Sequence, residues 1–130
     1  MDSFLNAWRP LVLSLVRMVT AFLFMQHGGQ KILGFPAASR GEFELFSLIG
    51  AAGVLELFGG ALLLVGLYTR PVAFLLSGQM AVAYFMVHHP RGFWPLNNGG
   101  ELAIMFCFVF FYLVFAGGGS FSLDRLQRRR

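Results

Sequence analysis

Apolar residues along this chain run in long blocks, not in the narrow stripe of a surface helix. A helix needs about 20 residues to cross the hydrocarbon core of a bilayer. Four blocks reach that length, some only with their flanks, at about 11–30, 46–67, 71–88 and 98–116. The pattern predicts an all-α membrane protein, one domain over 1–130, folded as an antiparallel four-transmembrane-helix bundle. The second and fourth blocks have almost no polar face, which argues against the core helices of a soluble bundle. The strictly apolar part of the third is short, so it must borrow interfacial residues or meet a thinned bilayer. Pro71 suits the first turn of a helix, where its missing N–H would be unpaired anyway. The Gly117-Gly118-Gly119 run ends the fourth helix. No cleavable signal peptide is read, because Arg17 splits the first apolar run and no small-residue cleavage site follows it.

Composition agrees with the pattern. Apolar residues make up 57% of the 130 and charged residues 12%, against about 25% charged in a soluble domain. Disorder, a fibrous repeat and an ordinary cytosolic enzyme are excluded, and the lipid bilayer is the expected partner. The single cysteine, Cys107, excludes an internal disulfide, a CxxC redox pair and a thiolate zinc site. A net charge of +4 is low for a nucleic-acid binder, so no nucleic-acid partner is expected. The charge serves topology instead. Four spans put Arg9, Arg70, Arg125, Arg128, Arg129 and Arg130 on one side, with Arg17 close to it; Lys31, Arg40 and Arg91 fall on the other. The positive-inside rule then makes both termini cytoplasmic and the loops at 34–45 and 89–97 external. Trp8 and Trp94 fall near the two boundaries, as an aromatic belt requires. The tight link Tyr68-Thr69-Arg70-Pro71 makes helices two and three antiparallel neighbours. The many Phe and Met side chains are expected to fill the bundle.

Ionisable residues inside a span are costly and mark function by default. Arg17 lies about 9 Å from the cytoplasmic end and is expected to reach the surface by snorkelling. Glu56 lies roughly 15 Å deep. Ala52, Gly53, Gly59 and Gly60 flank it at helical spacing and put a small-residue face around it. Glu56 therefore points into the bundle, as a ligand or proton site or as a hydrogen-bonding post between helices. Gln79 falls at similar depth, as helix glue or ligand. Toward the external side come His27 and Lys31, the pair His88-His89 before Pro90, and Glu101 at the start of the fourth helix. The expected result is an outward-opening pocket with Glu56 at its floor. His27, Lys31, His88 and Glu101 line its walls and Trp94 lies over the mouth. The rise per residue separates Glu56 from His27 by about 9 Å, a gap for water, Lys31 or a ligand to bridge. His27 and Glu56 are the candidate catalytic pair, and Lys31, Gln79, His88, Trp94 and Glu101 the candidate ligand-binding residues. No metal site is expected, since the His and carboxylate spacing forms no compact ligand motif.

These residues resemble the DoxX family. Arg17, His27-Gly28 and Lys31 are similar to its first-helix signature. Glu56-Leu57-Phe58-Gly59-Gly60 and Gly66-Leu67-Tyr68-Thr69-Arg70 resemble its second helix and tight turn. His88-His89-Pro90-Arg91-Gly92-Phe93-Trp94 and Gly99-Gly100-Glu101 resemble its third loop and the start of its fourth helix, and Ser120-Phe121-Ser122-Leu123-Asp124 its C-terminal end. The resemblance implies a four-helix protein of the bacterial inner membrane with quinone-linked or redox work, in a family named after a subunit of a quinone-linked thiosulfate-oxidising enzyme. It also implies His27, Lys31, Glu56 and Glu101 as site positions, but thiosulfate chemistry is not carried over.

Three functions stay open at this level. One is a redox-linked protein binding a quinone or quinol, for which His27, Lys31 and Glu56 supply donor and proton-acceptor types; it would serve as a subunit of a quinone-linked oxidoreductase. A second is a non-catalytic scaffold that docks soluble redox enzymes, with the arginine-rich tail recruiting an acidic partner or anionic lipid. A third is a small-solute or proton transporter. A homo-oligomer is compatible with each.

Overall fold

The computed structural model describes residues 1–37 and 44–130, and every regular element among them is helical. Arg40, one of the charges used for topology, lies outside the described residues. We number the helices α1 (Asp2–Leu33), α2 (Leu48–Val65), α3 (Thr69–Arg91), α4 (Pro95–Asn98), α5 (Glu101–Ala116) and α6 (Leu123–Arg128). Three of them, α1, α2 and α3, are long and apolar enough to cross a membrane. The apolar α5 has 16 residues, about 24 Å at 1.5 Å per residue, which falls short of a hydrocarbon core of about 30 Å.

Three boundaries differ from the sequence expectation. Helix α1 begins at Asp2, with Pro10 inside it. Proline in a helix removes one donor, to the carbonyl four residues earlier. Here that carbonyl belongs to the exposed Asn6, where solvent replaces the lost bond. The short helix is also not the third but the fourth. Helix α3 carries on through a π-turn at Tyr84–His88 and a 3-10 turn at His89–Arg91. Helix α5 starts only at Glu101, because Gly99 adopts a left-handed φ of 72° and Asn98 Oδ1 takes the Gly100 N–H at 2.8 Å.

The helices pack as two antiparallel pairs, α1 along α2 and α3 along α5, with a slighter contact between α2 and α3. Register in the first pair is set by glycine. A Cβ on Gly28 would lie 2.5 Å from Leu57 N and 2.8 Å from Gly53 O, so the two backbones touch where neither can yield. In the second pair the Ser77 hydroxyl donates to Cys107 O at 2.8 Å, and Arg70 to Val114 O and Phe115 O at 3.1 and 2.8 Å. The link at 68–71 does join neighbours, since Gly59 rests on Leu76. Phe24 of α1 meets Phe106 and Phe110 of α5 edge-on, with centroids 5.2 and 4.8 Å away, among the buried Leu63, Ala73, Leu76 and Leu113. Those three phenylalanines belong to the core; twelve others are exposed. The aromatic content thus mostly clads the outside of the bundle, where lipid rather than water would meet it, instead of filling the interior.

Candidate functional site

The site is built on an irregularity of α2. Residues Leu55–Gly59 form a π-turn, which widens the helix by one residue and is a frequent companion of function. Glu56 sits in that turn and is buried. The small-residue face expected around it is the packing face: Gly53 lies against Lys31 and Ile32, Gly60 against Met25, and Gly59 against Leu76 of α3. Helix α1 delivers Lys31 from its last turn, just before the left-handed cap Gly34. Lys31 Nζ donates to both Glu56 oxygens, at 2.6 and 2.7 Å, with the lysine side chain 30% exposed and the glutamate 3%. Gln79 arrives from α3, its Nε2 donating at 3.3 Å to Glu56 Oε1 and at 3.3 Å to Ala52 O. Its Oε1 is buried with no hydrogen-bond partner among the described residues.

Three helices therefore converge on one carboxylate, and a buried negative charge is answered by an ammonium, as burial of an ion demands. Lys31 reaches inward to Glu56, and no hydrogen bond among the described residues joins either of them to His27. The level of Glu56 differs from the rise arithmetic: the backbone contact at Gly28 brings the end of α1 level with Glu56 and Leu57. A straight count along each helix cannot include that interhelical register.

The other expected site residues are placed elsewhere. His27 is half-buried, edge-on to Phe106 at 6.0 Å, and makes no hydrogen bond among the described residues. His88 Nδ1 lies 3.2 Å from Asn98 O and its ring stacks on Tyr84. It belongs to the corner between α3 and α5, where the buried Asn98 donates to Tyr84 Oη and Gly92 O at 3.2 and 2.9 Å. Trp94 and Glu101 are exposed; Glu101 borders a shallow hollow with Leu96 and Met105. No hydrogen bond or ion pair among the described residues ties His88, Trp94 or Glu101 to the Lys31–Glu56–Gln79 triad. Three or more His, Cys, Asp or Glu side chains do not gather in a metal-binding group among those residues.

A second polar knot, at the end of the bundle carrying both termini, escaped the sequence reading. Arg17 does not reach the surface. It is fully buried, its Nη2 donates to Phe121 O, and its Nε and Nη1 have no hydrogen-bond partner among the described residues. The guanidinium fits over Gly66, whose φ is 70° and where any Cβ would collide with Nη1. Phe121 N donates to Ser14 Oγ at 2.9 Å, and Ser120 N to Pro10 O at 3.0 Å. Asp124 accepts from Tyr68 N and Thr69 N at 2.7 and 2.9 Å, while its own N–H donates to Gly66 O at 2.9 Å. One signal pointed here. The position before α3 is Tyr68, which cannot cap a helix with its side chain. An acid from elsewhere was needed to take those N–H groups, and Asp124 supplies it.

The DoxX family model matches residues 12–89. An uncharacterized protein of Haemophilus influenzae is 42% identical over 125 residues, covering 92% of this chain and 93% of its own. The Inner membrane protein YphA of Escherichia coli is 26% identical, covering 92% and 93%. The Uncharacterized membrane protein Rv3486 of Mycobacterium tuberculosis is 25% identical, covering 97% and 87%. No solved structure matches this chain. The chain belongs to the DoxX family and is a membrane protein.

Proposed function

We propose that this DoxX protein is a four-span protein of the bacterial inner membrane, termini cytoplasmic, that binds the head group of a quinone or quinol at Lys31, Glu56 and Gln79. The observation that carries the reading is the buried Gln79 Oε1, without a hydrogen-bond partner among the described residues, beside a buried ion pair. A buried acceptor without a donor is costly, and a quinol hydroxyl is a donor of the right kind. Lys31 has three N–H donors, two of them on Glu56, so the third is left for a quinone carbonyl at the partly exposed end of the site. Glu56 is the nearby proton acceptor, and His27, one helical turn before Lys31, is a second proton handler. Electrons would pass to a soluble redox enzyme docked at the membrane. Two further observations support the placement: α5 gains length for a fourth crossing from the α4 turn before it, and arginines cluster at the end with the termini.

The test is ubiquinone binding by the purified protein in detergent. Wild type should bind. Glu56→Gln and Gln79→Leu should each weaken binding at least about tenfold, the value of one good hydrogen bond to a charged group, with the melting temperature nearly unchanged. Absence of binding at high quinone concentration overturns the reading. The reading of Glu56 as a hydrogen-bonding post between helices has an observation of its own, because the same triad ties α1, α2 and α3 together. It predicts that Glu56→Gln lowers the melting temperature and that quinone makes no difference.

A further inference from the structure

We propose that the end of the bundle carrying both termini holds a cleft for the phosphate of an anionic membrane phospholipid. A cavity of about 580 Å³ opens there between α1, α5 and α6. Arg9, Arg70, Arg125 and Arg128 line it, and the backbone of residues 117–119 forms a wall with no side chains to fill the space. Asp124 is the acid in the lining, and both its oxygens are engaged by Tyr68 N and Thr69 N. Arg70 is anchored through Nη1 to the carbonyls that end α5, which leaves Nη2 and Nε beside Gly117 at the cleft wall. Arg9 has one polar contact, to Asn6 Oδ1 at 3.3 Å, and the guanidiniums of Arg125 and Arg128 have none among the described residues.

Four cations around a concave space, with the local acid already engaged, raise a focused positive potential that favours an anion. Guanidinium forks match the oxygens of phosphate in particular. The position selects a lipid over a soluble anion. The cleft begins where the apolar run of α5 stops at Ala116, and Val12 and Val16 of α1 and Phe115 of α5, on the helices that line it, are exposed. A phosphate in the cleft therefore has its acyl chains against apolar helix surface.

Native mass spectrometry of the full chain in detergent, with phosphatidylglycerol or phosphatidylcholine added, tests the proposal. Phosphatidylglycerol should be retained as one tightly held molecule. The triple variant Arg9→Gln/Arg125→Gln/Arg128→Gln should weaken its retention about a hundredfold, the compounded effect of three basic residues at a charged interface. These residues are exposed, so the melting temperature should hold. The charge-matched control Arg91→Gln/Arg129→Gln/Arg130→Gln lies outside the cleft lining and should weaken retention less than about threefold. Equal losses in both variants would mean diffuse attraction and overturn the cleft. Equal retention of phosphatidylcholine, or displacement of phosphatidylglycerol by inorganic phosphate or by an acidic peptide, would each overturn the assignment to anionic lipid.

Discussion

The two ends of the bundle bury charge by opposite means. Near the end of α1, Glu56 is neutralised by a side chain, Lys31, and the pair joins two helices. At the other end, Arg17 is held by a backbone carbonyl, with two of its nitrogens unpaired among the described residues and a loop folded over it. A side-chain pair can be removed as a unit, leaving the backbone as it was. A side chain held by backbone groups is part of the chain's path, and removing it changes how residues 117–124 lie. The first arrangement suits a site that a ligand can enter; the second suits a permanent fastening.

The sharpest way to break this contrast is at the helix contact beneath the ion pair. Gly28→Leu places side-chain atoms where Leu57 N and Gly53 O already are. It should cost more than about 4 kcal/mol, among the largest effects of single substitutions, and leave no cooperative melt in detergent. A near-wild-type melting temperature would mean that α1 and α2 do not meet through this glycine.

Next comes the pair itself. Lys31→Met strands the Glu56 carboxylate and should destabilise by about 3 kcal/mol, while the double variant Lys31→Met/Glu56→Gln should recover most of the loss. A double-mutant cycle by thermal unfolding measures this, and simple additivity would show that the pair is not coupled. Asp124→Ala tests the other end. It leaves Tyr68 N and Thr69 N without their acceptor and should cost about 1–2 kcal/mol, with quinone binding unaffected. A loss of quinone binding in this variant would show that the two ends are not independent. The smallest expected change is Gly78→Ala. A Cβ there meets nothing within 4 Å, so helix propensity alone should raise stability by less than about 1 kcal/mol. A fall in melting temperature would reveal a partner on that face.

The sequence carried the three helices long and apolar enough to cross a membrane and the inward direction of Glu56, because both follow from residue type and spacing along one helix. The small residues flanking Glu56 marked the packing face, and glycine is what lets two helices meet there. Other features depend on relations that spacing does not encode. The π-turn at Leu55–Gly59 has no proline, and its Gly59-Gly60 pair reads first as a helix-packing face. Arg17 looked like a snorkelling anchor because its partner is a carbonyl 104 residues away, and a carbonyl is present in every residue. The expected gathering of His88 and Glu101 with Glu56 rested on their sharing one end of the bundle. The corner hydrogen bonds of Asn98 claim His88 instead, and Glu101 stays exposed.

The fastening at Arg17 also sets an order of events during synthesis. Its components are Ser14 and Arg17 in the first half of α1, Gly66 at the end of α2, and Phe121 and Asp124 beyond α5. Chains fold from the N-terminus as they are made, so the first three helices are present before residues 120–124 exist. Until those residues emerge, the N–H groups of Tyr68 and Thr69 lack the Asp124 carboxylate and Arg17 lacks the Phe121 carbonyl. Residues 120–124, translated after α1, α2, α3 and α5, are therefore the ones that close the bundle. A nascent chain halted before Ser120 should hold its helices in the membrane while Arg17 remains reachable from the aqueous side.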